Sequence, residues 1–259
     1  MKNIKDKAIN LFNIIKYKKC RCEAAHEVCL GCNQCHLHKK KQIIEDFEDL
    51  NQYIDHTLLR ADTQTQDIIK LCQEAEKYSF KSVCIHPSFI ITATKYLESA
   101  TICSVVGFPL GGNTTDTKFY EVSTCVDLGA REIDMVVNIS NIKEGNNVAV
   151  HDEISMIAEY CSLNHIILKI IIETCLLTTE EIIRVCLIAK KAGAHFIKTS
   201  TGFSSKGAEE ETVKLIRDVV GSYLGVKASG GIKTREDALK MLKAGANRIG
   251  TSSSIEIIS

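Results

Sequence analysis

Eight short apolar runs, spaced along the chain and separated by amphipathic stretches, constrain this sequence more than any other feature. They are YIDHTLL (53–59), SVCIH (82–86), ICSVVGF (102–108), EIDMVVN (132–138), IILKIIIE (166–173), HFIKTS (195–200), GVKAS (225–229) and NRIGTS (247–252). Each is of strand length. Their apolar character is nearly continuous rather than alternating, as expected of parallel strands buried on both faces. The intervening stretches read as helices. TTEEIIRVCLIAKKAG (178–193) opens on a threonine and an acidic turn and closes on lysines and a glycine. TREDALKMLKAG (234–245) repeats the pattern, with Thr234 and Asp237 spaced as a capping box. A short internal repeat, DLGAREID (127–134), KAGAHFIK (191–198) and KAGANRIG (243–250), places a glycine between each helix end and the strand that follows. Eight strands alternating with helices predict an α/β fold, a (β/α)8 TIM barrel. An open doubly wound sheet is the runner-up, but no G-x-G-x-x-G follows a strand to support it.

The pattern begins near residue 45 and divides the chain into an N-terminal Cys/His-rich extension (1–44) and a barrel domain (45–259). The whole is 259 residues, 45% hydrophobic and 25% charged, which is a globular balance. Formal net charge is zero, so no global field favours nucleic acid or an anionic membrane as partner. No stretch is long and apolar enough to span a bilayer, and no small-residue cleavage site follows INLFNII, so a cytoplasmic protein is expected. Its 12 cysteines are then expected to stay reduced. Seven lie singly in apolar segments and read as small core hydrophobes. The other five crowd into CRCEAAHEVCLGCNQCHLH (20–38) with three histidines. The C-x-x-C-x-x-C-H run suits zinc, yet no second pair stands at finger distance. A metal site and an incidental helix extension therefore both remain open for this segment.

Four ionisable residues sit where a strand should be apolar: Asp134 in EIDMVV, Lys169 in ILKIII, Lys198 in FIKTS and Lys227 in GVKAS. Buried charge is costly unless paired or used. Any one of them reads equally well as an ion pair bracing the barrel. Lys198 and Lys227, however, run directly into TSTGF (199–203) and ASGGI (228–232), and Arg248 runs into IGTSSS (249–254). Glycine and hydroxyl clusters after the last strands of a barrel are its usual phosphate site. A lysine beside a phosphate site suggests imine chemistry. That chemistry needs a neutral amine, which burial or a neighbouring cation favours. Adjacent strands would set Lys198 and Lys227 side by side, with Asp134 as a proton shuttle.

From residue 50 to 255 the chain resembles the deoxyribose-phosphate aldolase family. The stretches that carry the likeness are YIDHTLL, SVCIHP, VVGFPLGGNTTDTK, EIDMVVNI, LKIIIETCLL, AGAHFIKTSTGFS, VKASGGIKTREDAL and AGANRIGTSS. The resemblance implies reversible cleavage of 2-deoxyribose 5-phosphate to acetaldehyde and glyceraldehyde 3-phosphate, with no cofactor or metal required. It implies an imine on Lys198 and proton transfer by Asp134 and Lys227. It also implies phosphate contacts from Gly202, Gly230, Gly231, Ser252 and Ser253. Asp55 and Thr57 match the family's first-strand polar pair, and Cys84 a cysteine near the site. Lys169, Thr201 and Gly250 complete the expected substrate-binding set. A small phosphorylated sugar is the expected partner, with a homodimer left open. In one respect the chain departs from the family: members often carry a C-terminal tyrosine that assists proton exchange, and here no tyrosine follows Tyr223. Two other readings stay open on the residues alone. One is a transaldolase-like barrel, and the other an inactive barrel serving as a scaffold through residues 1–44.

Overall fold

The computed structural model describes residues 49–259. The 20–38 cluster and the boundary expected at 44/45 lie outside the described residues. Eight parallel strands close into a barrel in sequence order, each paired with the next and the eighth with the first. They are β1 (Ile54–Thr57), β2 (Ser82–Ile85), β3 (Thr101–Val106), β4 (Glu132–Val136), β5 (Ile167–Ile171), β6 (Phe196–Lys198), β7 (Gly225–Ser229) and β8 (Arg248–Thr251). Each apolar run coincides with one of them, β3 starting one residue ahead of its run, so the barrel expected from the pattern is the barrel observed. All but β7 are shorter than their runs, because the last residues of several runs leave the ladder to form the loops of the C-terminal face. HFIKTS keeps only Phe196–Lys198 as strand.

The helices are α1 (Thr65–Lys77), α2 (Ile90–Ala93), α3 (Thr115–Leu128), α4 (Ile139–Lys143), α5 (Asn147–Leu163), α6 (Thr179–Lys191), α7 (Glu210–Val220), α8 (Arg235–Lys243) and α9 (Ser254–Ile258). Local chemistry sets their ends. Thr178 with Glu181 caps α6 and Thr234 with Asp237 caps α8, each pair satisfying two backbone N–H groups reciprocally. The three glycines of the internal repeat, Gly129, Gly193 and Gly245, all take positive φ (118°, 90° and 113°). That conformation ends a helix and turns the chain into the next strand, and side chains with a Cβ rarely adopt it.

Alternation along each strand divides the buried residues into two sets. Ile133, Met135, Leu168, Ile170, Ile197, Val226, Ala228 and Ile249 are fully buried between barrel and helices. Each contributes roughly 1–3 kcal/mol by leaving water. The intervening positions point into the barrel, and there the sequence is strongly polar.

Candidate active site

Register brings the ionisable residues together inside the barrel. Asp134 on β4 is the strand neighbour of Lys169 on β5, Lys198 on β6 that of Lys227 on β7, and Lys227 in turn that of Arg248 on β8. Three carboxylates (Asp55, Glu132, Asp134) and four basic groups (Lys169, Lys198, Lys227, Arg248) fill the barrel, all buried. Asp134 is the hub. Its Oδ2 accepts from Lys198 Nζ and Lys227 Nζ, both at 2.8 Å, and its Oδ1 accepts from Lys169 Nζ at 2.8 Å. Below the hub, Lys169 pairs with Glu132 at 2.5 Å and Lys227 with Asp55 at 2.5 Å. Arg248 closes the circuit by donating to both Asp55 and Glu132.

The electrostatics follow from this packing. Burial alone pushes the carboxyl of Asp134 up, but Lys169, Lys198 and Lys227 together outweigh it and hold the group well below the usual carboxylate range. Asp55 is lowered in the same manner, with Lys227, Arg248 and Lys169 overcoming its burial. Burial pulls Lys169 and Lys227 down while their carboxylates pull them up, and the carboxylates win at both. Lys227 is therefore favoured in its charged form, and it shares one carboxylate oxygen with Lys198.

Two thiols flank the hub on the other side. Cys84 and Cys103 are neighbours across β2 and β3, and Cys103 Sγ lies 3.1 Å from Asp134 Oδ1. A hydrogen bond from Cys103 is the largest influence on Cys84; with help from Lys227 it outweighs burial and brings the Cys84 thiol down to about 7. The two sulfurs and an Asp134 oxygen lie within 4.8 Å of one another. That carboxylate is already engaged by three ammonium groups, so the trio is better described as two thiols hydrogen-bonded to Asp134 than as a vacant metal site. The other described cysteines split as the apolar segments suggested, except that Cys175 is only half-buried and lies 3.2 Å from Ser204 Oγ.

Above this network, at the C-terminal ends of the strands, lies a cavity of about 510 Å³. Among the members of the charged network Lys198 alone lines it. Thr57, Thr201, Gly202, Gly230, Gly231, Gly250 and Ser252, all anticipated from sequence, also face it. Asp55, Asp134, Lys227, Cys84 and Lys169 do not; they lie beneath the floor, fully buried. Lys169, expected to touch substrate, is enclosed by Glu132, Asp134 and Cys103. Ser253 is not among the residues that line the cavity; its N–H donates to Thr251 Oγ1.

Sequence reasoning overlooked several contributors. Glu132, read as a strand residue only, and Arg248, noted only as the residue that runs into IGTSSS, are the lower half of the charged circuit. Glu173 stands in the left-handed region (φ 49°), and its carboxylate accepts from both the N–H and the hydroxyl of Thr201, anchoring the TSTGF loop. Arg60, Phe203, Ser229 and Lys233 also line the cavity. A buried acid directly after an apolar run was the available signal for Glu173.

The comparisons with known proteins agree with this geometry. The model of the DeoC/LacD family aldolases matches residues 50–254. The chain belongs to that family. Deoxyribose-phosphate aldolase 1 of Vibrio vulnificus is 51% identical over 211 residues, covering 81% of this chain and 95% of the relative. The deoxyribose-phosphate aldolase of Clostridium kluyveri is 50% identical over 215 residues, covering 82% and 98%. Among solved structures, one described as "QR15, an Aldolase" superposes with a TM-score of 0.79 at 38% identity, covering 82% of this chain and 95% of its own. The deoxyribose phosphate aldolase of Aeropyrum pernix, described as tetrameric, gives a TM-score of 0.75 at 33% identity, covering 81% and 89%. Among the described residues no helix is long and apolar enough to cross a membrane.

Proposed function

We propose that this member of the DeoC/LacD family cleaves 2-deoxy-D-ribose 5-phosphate reversibly to acetaldehyde and D-glyceraldehyde 3-phosphate through an imine on Lys198. One observation carries the assignment of the nucleophile: of the three lysines on Asp134, only Lys198 reaches the cavity. The relatives at 50–51% identity, named for this activity, support the substrate.

In this reading the amine of Lys198 attacks the C1 aldehyde of the open-chain sugar, and loss of water leaves an iminium. The C3 hydroxyl gives up its proton to the Asp134–Lys227 relay. The C2–C3 bond then breaks, its electron pair passing into the iminium to form an enamine, and glyceraldehyde 3-phosphate departs. Protonation at C2 and hydrolysis of the remaining imine release acetaldehyde. Lys198 and Lys227 both sit 2.8 Å from the same oxygen, so a proton can pass between them without reorganisation. The iminium is the electron sink, and the reading calls for no metal or organic cofactor. Gly202, Gly230, Gly231 and Ser252 hold the phosphate at the outer end of the cavity, with Lys233 supplying positive charge beside them. Residues 45–259 make up the catalytic domain in this reading, and 1–44 take no part in the chemistry.

Borohydride reduction in the presence of acetaldehyde tests the assignment. One ethyl group is expected on Lys198, and Lys198→Ala should lose turnover altogether. Ethylation of another lysine, or an active alanine variant, sinks the nucleophile. Failure to react with acetaldehyde at all would point to a ketose-specific, transaldolase-like barrel.

A further inference from the structure

The hydroxyl groups around the cavity differ in one respect: most are already committed to the protein. Thr57 Oγ1 donates to the Asp55 carbonyl at 2.8 Å, Thr251 Oγ1 to the Ile232 carbonyl at 2.7 Å, and Thr201 Oγ1 to the Glu173 carboxylate. Ser229 Oγ has no partner, although its residue is only 5% exposed and lines the cavity. Two other buried serine oxygens among the described residues, Ser82 Oγ and Ser200 Oγ, also lack partners, but neither residue lines the cavity. A buried hydroxyl without a partner is costly, so a ligand that completes it recovers a definite benefit.

The position of this oxygen is held firmly. Thr199 Oγ1 accepts from Ser229 N at 3.1 Å and donates to Ser229 O at 3.2 Å, clamping the residue's backbone on both sides. Across from it stands Gly250. A Cβ there would lie 2.3 Å from Ser229 Oγ and 3.0 Å from Lys227 Cε. Glycine at 250 therefore leaves room for the serine oxygen, which any side chain there would displace.

The order of residues along β7 supplies the ligand. Lys227 reaches Asp134 beside Lys198, Ser229 stands two residues further along the same face, and Gly230 and Gly231 begin the phosphate loop. Two residues of strand span roughly 6–7 Å, a length of the same order as a short sugar chain. We propose that Ser229 Oγ hydrogen-bonds the C4 hydroxyl of the sugar, which is the α-hydroxyl of the aldehyde acceptor, and so selects α-hydroxy aldehydes carrying a terminal phosphate. The C3 oxygen belongs to the proton relay and the C5 substituent to the glycine loop, which leaves C4 opposite Ser229. This rests on the aldolase reading above and adds to it the determinant of acceptor choice. Ser229 is a binding residue in this role and takes no part in bond making.

The test compares two acceptors in the synthetic direction with acetaldehyde as donor: glyceraldehyde 3-phosphate and 3-oxopropyl phosphate, which lacks only the α-hydroxyl. Wild-type protein should prefer the hydroxylated acceptor in kcat/KM. Ser229→Ala should reduce that preference roughly tenfold, mostly through KM, by slowing the hydroxylated acceptor and leaving the other little changed. Ser229→Gly should act in the same direction, and agreement between the two separates a lost hydroxyl from a local packing defect. An unchanged ratio, or equal losses on both acceptors, overturns the proposal. A wild-type protein inert toward both acceptors would instead overturn the aldolase reading and this inference with it.

Discussion

Asp134 shows how one side chain governs the barrel interior. It is fully buried and bonded to three ammonium groups, so its removal strands several charges at once. Asp134→Asn should lower stability in urea by about 3–5 kcal/mol, the cost typical of breaking a buried pair. Cleavage activity should fall with it, because the relay loses its ionisable oxygen. The carboxyl of Asp134 lies below its unfolded value, so its contribution is complete above about pH 4 and is lost as pH falls through the lower folded value. An Asp134→Asn protein as stable as wild type at pH 7 would mean that the ion pairs contribute nothing net. At this scale the sequence was informative in part. A charged residue inside an apolar run announced Asp134, Lys169, Lys198 and Lys227, because such burial is costly without a reason. It could not say which lysine opens to solvent. That depends on the height of each residue in the barrel, which is set by strand stagger.

At the scale of elements, His56 is an instructive connection. It belongs to β1, its Nδ1 lies 2.8 Å from Ser254 Oγ at the start of α9, and its Nε2 lies 2.9 Å from Glu74 Oε2 on α1. Burial holds the imidazole below its usual value, although Glu74 and Glu256 pull the other way. A depressed folded value means that His56 contributes most above the unfolded value near ~6.5, and that acidification below it erodes the contribution. Thermal stability should therefore decline as pH drops from about 6.5 toward the folded value, and His56→Gln should flatten that decline. Equal pH slopes for the two proteins over that interval would refute the linkage. The caps of α6 and α8 were legible in sequence because they are local chemistry within four residues. The His56 bridge was not, since Ser254 stands 198 positions away.

For the whole molecule, the sharpest expectation concerns residues 1–44. A polypeptide beginning at residue 45 should retain aldolase activity within about twofold of the full chain, because the described residues that line the cavity fall between 57 and 252 and the family model begins at residue 50. Zinc measured in full-length protein purified under reducing conditions should, if present, disappear with the truncation. Loss of activity in the shortened chain would contradict the division into extension and catalytic domain.

What the sequence determined by itself was the periodicity of strands and helices, the caps and turns at their ends, and the candidate chemistry at the strand termini. These are properties of residues close in the chain, where propensity, capping and backbone freedom act. The tertiary structure alone decided which of those candidates face the cavity. Barrel closure and register set Lys198 at the cavity floor, sent Lys169 and Asp55 beneath it, and joined Glu132 and Arg248 into the same circuit. Closure also left Ser229 Oγ buried against Gly250 without a hydrogen-bond partner. A side chain's exposure and partners in a closed barrel depend on the stagger of eight strands together, and no local stretch of sequence encodes that sum.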